Sequence, residues 1–244
     1  MSSELSGDAA PVAGSGGERP GVVLVHGAWA DGSSWNEIAG PLLSKGLRVL
    51  AAPLPLTSLS DDIAALDRTL ERIAGPVVLV AHAYAGAVIA GSANERVRSL
   101  VFIAALAPDK GETVAAMFYQ EKPHPQAPQL APDAHGLIWM PAEGFAAAFA
   151  QHASPERAAL FAAAQRPIAL ACIQESAPAP AWRTTPSWYL VAEEDRMISP
   201  VTQRYMAQRM GARTRAAKVD HTPLVTAPGV VIEVILDAVA GLTD

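Results

Sequence analysis

Three stretches of this chain carry residue types suited to proton and carbonyl chemistry, and each follows an apolar run. Asp195 lies in "EEDRMISP" and His221 in "KVDHTPLVTAPG". A carboxylate behind an imidazole fixes its tautomer and stabilises its protonated form, which makes a competent general base. On residue type alone Glu193 and Glu194 compete with Asp195 for that part. Upstream, "VVLVAHAYAGAVIAG", from Val77 to Gly91, has the pattern of a strand, a tight turn and a helix that together hold a nucleophile clear of a sheet. The residue at the turn tip is Ala83. A methyl group cannot attack a carbonyl, and losing a serine nucleophile removes on the order of a millionfold in turnover. Ordinary acyl-enzyme chemistry is therefore excluded for the chain as written.

Alternating strands and helices must position these groups. Val22–Val25 reads as a buried parallel strand, because short continuous apolar runs belong to sheets covered on both faces. "SSWNEIAGPLLSKG" reads as a helix, with Ser33 and Ser34 as its capping hydroxyls, and "LRVLAAPLP" as a strand. Ser58 to Ile73 carries apolar residues at Ile63, Leu66, Leu70 and Ile73, the stripe of an amphipathic helix, with Ser58 and Asp61 as a capping pair at its start. Val77–Val80 is the next strand, Tyr84–Asn94 a helix and "VRSLVFIAAL" a strand. Residues 108–180 break the rhythm with Pro-studded loops, Ala-rich helical pieces and no obvious buried strand. Alternation resumes with "SWYLVAEEDRMISP", the helix "VTQRYMAQRMG", the strand "TRAAKVD" and a last helix from Val230 to Ala240. This predicts one α/β domain over 21–244, with core segments 21–107 and 181–244, a helical lid over 108–180 and a disordered tail over 1–20.

Composition narrows the partners. A net charge of −6 argues against nucleic acid, since phosphate binding needs a basic surface. No run of 18 apolar residues spans a membrane, and the N-terminus lacks the apolar stretch of a signal peptide, so a cytoplasmic location is the default. Cys172, the single cysteine, excludes an internal disulfide and reads as a small buried apolar residue. His124, His135 and His152 have no ligand-like spacing, so neither a metal nor another cofactor is expected. The expected partner is a small molecule, with a homodimer left open.

The segments "HGAWADGSSW", "AHAYAG", "EEDRMISP" and "KVDHTPLVTAPG", in that order, resemble the α/β-hydrolase superfamily, in the branch of small esterases and hydroxynitrile lyases, over roughly residues 21–241. The resemblance implies an α/β-hydrolase fold, a mostly parallel sheet flanked by helices with a helical lid. It selects Asp195 over its glutamate neighbours as partner of His221, and gives Ala83 the nucleophile position. It makes the backbone N–H groups of Ala28 and Tyr84 the oxyanion donors. His26 and His82 are implied to be mainly structural. Trp29, His82, Phe118 and Trp139 are the candidates for contact with ligand, and Met117, Phe145 and Phe149 are further apolar candidates. The chain departs from the family elbow at Ala81 and Ala85, where glycines are usual, as well as at Ala83. Deliberate replacement and natural divergence both account for that. Three functions stay open: acid–base chemistry without a covalent intermediate on a small apolar carbonyl or ester compound, an esterase inactivated at position 83, and a non-catalytic ligand carrier.

Overall fold

The computed structural model describes residues 20–242; the expected disordered tail lies outside them apart from Pro20. Six strands form one parallel sheet: β1 (Gly21–Val25), β2 (Arg48–Ala52), β3 (Val77–His82), β4 (Val97–Ile103), β7 (Ser187–Ala192) and β8 (Arg213–Ala217), in the order β2-β1-β3-β4-β7-β8. β1 and β3 are buried along their whole length, which explains their unbroken apolar sequences. Alternate residues serve opposite faces. Val23, Val25, Leu79 and Ala81 join the core beneath α2 (Leu59–Leu70) and α3 (Ala85–Gly91). Val22, Leu24, Val78 and Val80 pack on the other face with α1 (Asn36–Ser44) and α10 (Pro228–Ala240).

Local signals account for the helix starts. The Ser58 hydroxyl accepts from Asp61 N at the start of α2, which ends at Leu70 rather than running on to Ile73. Ahead of α1 the cap is neither Ser33 nor Ser34. Asp31 accepts from Ser33 N and Ser33 Oγ, while Ser34 Oγ donates to Asp31 O, so the segment enters as a short 3₁₀ turn. α3 is shorter than the apolar pattern implied, because Ser92 turns to extended backbone.

The excursion over 108–180 holds α4 (Val114–Phe118), α5 (Ala142–Gly144), a π-turn over Phe145–Phe149, α6 (Pro155–Ala164) and α7 (Leu170–Gln174). It also contains strands missed in the sequence, β5 (Leu137–Ile138) pairing antiparallel with β6 (Ile168–Ala169). Two residues each are too short to leave a periodic signature. α8 (Pro200–Arg209) and α9 (Pro223–Thr226) complete the elements.

Candidate active site

Backbone strain collects at one edge of the sheet. Among the described residues, Trp29, Leu56, Ala83 and Ala104 are the non-glycine residues with positive φ, and they follow β1, β2, β3 and β4 respectively. A side-chain-bearing residue in the left-handed region costs about 1–2 kcal/mol, so surrounding contacts must hold each one there. At Ala83, with φ +51°, they are visible. Its N–H donates to Ile103 O at 3.2 Å, and its carbonyl accepts from Gly86 N at 3.2 Å and Leu106 N at 2.9 Å. A Cβ at Gly86 would stand 2.3 Å from Leu106 O, so only glycine lets α3 pack this close. Ala81 and Ala85 are fully buried and small enough to preserve the elbow. The turn is built, and its tip carries a methyl group.

Beside it stands a buried carboxylate–imidazole pair. Asp195 and His221 follow β7 and β8, and His221 Nδ1 lies 2.8 Å from Asp195 Oδ2 with both side chains essentially inaccessible. A carboxylate only accepts, so Nδ1 carries the proton. His221 Nε2 has no hydrogen-bond partner among the described residues. Asp195 is itself held: Oδ1 accepts from Met197 N at 2.7 Å and Ile198 N at 2.9 Å, and Oδ2 also accepts from Gln203 Nε2 at 2.7 Å. Gln203 was not legible as a site residue. It sits mid-helix in α8 and only its burial marks it.

Ala28, Trp29, Ala83, Tyr84, Phe118 and His221 line a common cavity of about 270 Å³. The backbone N–H groups of Ala28 and Tyr84 have no acceptor among the described residues. Residues of the excursion, including Val114, Ile138 and Ile168, make the chamber mostly apolar, and among the described residues His221 is the one His, Lys, Arg, Asp or Glu that lines it. Trp29 Nε1 is spent on Ile138 O at 3.0 Å, and the Tyr84 hydroxyl on Asp62 Oδ2 at 2.7 Å. Asp62 is fully buried; its carboxyl is pushed up by desolvation while accepting from Tyr84, Leu56 N and the Cys172 thiol. Burial likewise pushes the Cys172 thiol up to about 12, leaving it inert.

Two expected ligand contacts are placed elsewhere. Trp139 is 48% exposed and points its indole N–H at Asp133, outside the cavity, because its neighbours Ile138 and Met140 take the inward positions. His82 lies behind the wall. Its Nε2 donates to His221 O at 2.7 Å, and its ring centroid is 4.8 Å from that of His221. His26 bonds only backbone, Nδ1 to Gly27 O and Nε2 from Leu54 N. Ser33 stays on its turn. Among the described residues no group of His, Cys, Asp or Glu is arranged to hold a metal ion, and no helix is long and apolar enough to cross a membrane.

Desolvation depresses His82 from 6.5 to about 3, which holds the ring neutral. The unfolded chain therefore takes up a proton that the folded one refuses between those limits. Stability from this residue is complete above about 6.5 and is lost progressively as the pH falls toward 3. His82→Gln keeps a donor for His221 O without titrating. In urea unfolding at pH 5 and pH 7.5, the variant is expected to lose less stability on acidification than the parent.

The excursion is buckled to the loops that carry both Asp195 and His221. Thr222 Oγ1 donates to Phe149 O at 2.5 Å, Gln151 Nε2 to Glu194 O at 2.6 Å, and His152 N to Asp220 Oδ2 at 3.0 Å. Phe149 packs edge-on against His221, 5.3 Å between centroids.

Over residues 22–234 the sequence matches the profile of the Alpha/beta hydrolase family. The chain belongs to this family. A curated relative, the carbendazim hydrolyzing esterase of Nocardioides sp. (strain SG-4G), is 32% identical over 116 residues, 41% of this chain; the match spans about half (48%) of that protein's length. Among solved structures, polyneuridine aldehyde esterase superposes with a TM-score of 0.80 at 19% identity, covering 93% of this chain and 100% of that one. A pyrethroid hydrolase from Sphingobium faniae JZ-2 gives 0.77 at 19%, covering 91% and 98%. An extracellular alpha/beta-hydrolase from a Paenibacillus species gives 0.72 at 22%, covering 89% and 98%. At these identities the structural likeness bears on the fold.

Proposed function

We propose that this protein is an esterase-like member of the family that works without a covalent intermediate. In this reading His221–Asp195 is the acid–base pair, Ala28 and Tyr84 N–H form the oxyanion site, and segment 108–180 is the lid. The ligand is a small, neutral, apolar carbonyl or ester compound. The observation that carries the reading is the buried 2.8 Å His221–Asp195 contact opening onto the same apolar cavity as the strained Ala83 turn. A chamber for passive carriage has no need of a desolvated carboxylate aimed at an imidazole and held by three further donors, since burying a charge is costly.

The chemistry follows from the atoms. His221 Nε2 accepts a proton from a bound water or from a ligand C–H or O–H, and Asp195 stabilises the imidazolium. When water attacks, its oxygen bonds the carbonyl carbon as the C=O π pair moves onto oxygen, and collapse re-forms C=O as the bond to the leaving alkoxide breaks. In a β-hydroxy carbonyl compound the O–H pair forms a new C=O as the adjacent C–C bond breaks and its pair passes into an enolate; from a C–H the pair passes into the enolate directly. Either way an oxyanion develops and accepts from Ala28 and Tyr84 N–H, and the imidazolium returns its proton to the leaving group. The test is a panel of neutral esters and β-hydroxy carbonyl compounds. Turnover found with the parent is expected to fall to background in His221→Ala; unchanged turnover in that variant overturns the reading.

One observation favours a second reading, an ester hydrolase inactivated at position 83. The elbow keeps a left-handed tip and a glycine-only contact at Gly86 although no hydroxyl is presented there.

A further inference from the structure

Gln203 is fully buried in α8, and its amide is saturated. Oε1 accepts from Ala192 N at 2.9 Å, while Nε2 donates to Ile198 O at 2.9 Å and to Asp195 Oδ2 at 2.7 Å. The orientation is dictated by the partners: an N–H group on one side and two acceptors on the other admit one placement of the amide. The same Oδ2 receives the His221 Nδ1 proton at 2.8 Å. One oxygen is thus shared by two donors, while Oδ1 is occupied by Met197 N and Ile198 N.

A carboxylate that spreads its charge over more donors stabilises each less. We infer that Gln203 is a positioning residue that sets the basicity of His221 through Asp195. It holds the carboxylate plane toward the imidazole and draws part of the charge that would otherwise stabilise imidazolium. This deepens the reading of the site given above and concerns the same pair, but its readout is the imidazole itself.

The other titratable and charged groups around His221 remain constant in the comparison. His82 packs on the ring and is held neutral by burial. Asp220 accepts from His152 N, Thr222 N and Thr226 Oγ1. Farther out His152 and Glu194 pair at 3.0 Å, and Arg196 donates to Ala147 O.

The experiment follows the His221 imidazole by NMR titration in the full-length parent, Gln203→Met and Gln203→Glu. Methionine fills the volume without donating, so Asp195 concentrates its charge on His221. The His221 midpoint is expected to rise by roughly 0.5 to 1 on the pH scale, with its Nδ1 proton moving downfield. Gln203→Glu places a second carboxyl against Asp195. While protonated, that carboxyl still donates to Asp195 and is expected to leave the His221 midpoint at the parent's value; once ionised it is expected to raise it. A residue that merely fills space would leave the midpoint unmoved in folded Gln203→Met, and that result, or a fall, overturns the inference. Should the methionine variant not fold, Gln203→Leu, which also removes the donor and adds no charge, decides: a midpoint equal to or below that of the parent overturns it. Indifference of turnover to His221→Ala would remove the catalytic reading and leave this titration standing, so the two failures are distinguishable.

Discussion

Serine in place of Ala83 is expected to produce cleavage of short activated esters, with turnover on the order of 10⁴-fold or more above the parent chain. The substitution adds one oxygen to a turn that already has the required shape. The tip is left-handed at φ +51°, its peptide groups are held by Ile103, Gly86 and Leu106, and neither fact depends on the side chain. Serine meets the same left-handed penalty as alanine, so stability should stay within about 0.5 kcal/mol. The new hydroxyl enters a cavity that His221 also lines, and His221 Nε2 has no hydrogen-bond partner among the described residues. Steady-state assays with a range of short-chain esters, together with a pre-steady-state burst, measure the gain. A folded Ala83→Ser protein inert to that range would sink the inactivated-esterase reading. A gain in the variant beside a parent insensitive to His221→Ala would favour that reading over acid–base turnover by the natural chain.

The second large effect is expected from Asp195→Asn. The carboxylate receives four N–H donors, two on each oxygen. Asparagine has one oxygen and one NH₂. With its oxygen toward Met197 N and Ile198 N, its NH₂ meets His221 Nδ1, which can accept only by moving its own proton to Nε2. The base then points a proton, rather than a lone pair, at the cavity. The NH₂ also meets Gln203 Nε2, donor against donor. Turning the Gln203 amide would orphan Ala192 N instead. One buried donor is thus left unsatisfied, at a cost of about 1–3 kcal/mol, and turnover dependent on the base is expected to fall by about 10⁴. Urea unfolding reads the first effect and the ester and β-hydroxy carbonyl assays the second. An Asp195→Asn variant as stable and as active as its parent would contradict the four-donor arrangement.

Both predictions separate what is local in this protein from what is not. The apolar runs at Val22–Val25 and Val77–Val80 and the Ser58 cap were legible in the chain, because each rests on residues a few positions apart, and the order of turn, acid and histidine was legible as a succession of short segments, each following an apolar run. So was the methyl group at the elbow, a matter of residue identity. The orientation of a side chain just past a two-residue strand was not, since so short a strand leaves no alternation to read, and Trp139, directly after β5, is half exposed. His82 reads as a histidine in a site motif, yet its ring supports the backbone of His221 from behind.

What the sequence by itself determined was the chemistry available: a histidine, a carboxylate and a turn without a hydroxyl, each following an apolar run. The tertiary structure decided which of these groups meet and what holds them. Asp195 finds His221 across 26 residues, and Gln203 reaches it from a helix that no motif marks. Asp62 lies behind Tyr84 through a contact spanning 22 residues. Hydrogen-bond partners far apart in the chain leave no periodic trace in it, since they are chosen by where the strands end and how closely the helices pack. Burial, which makes such pairs consequential, is likewise a property of the assembled fold.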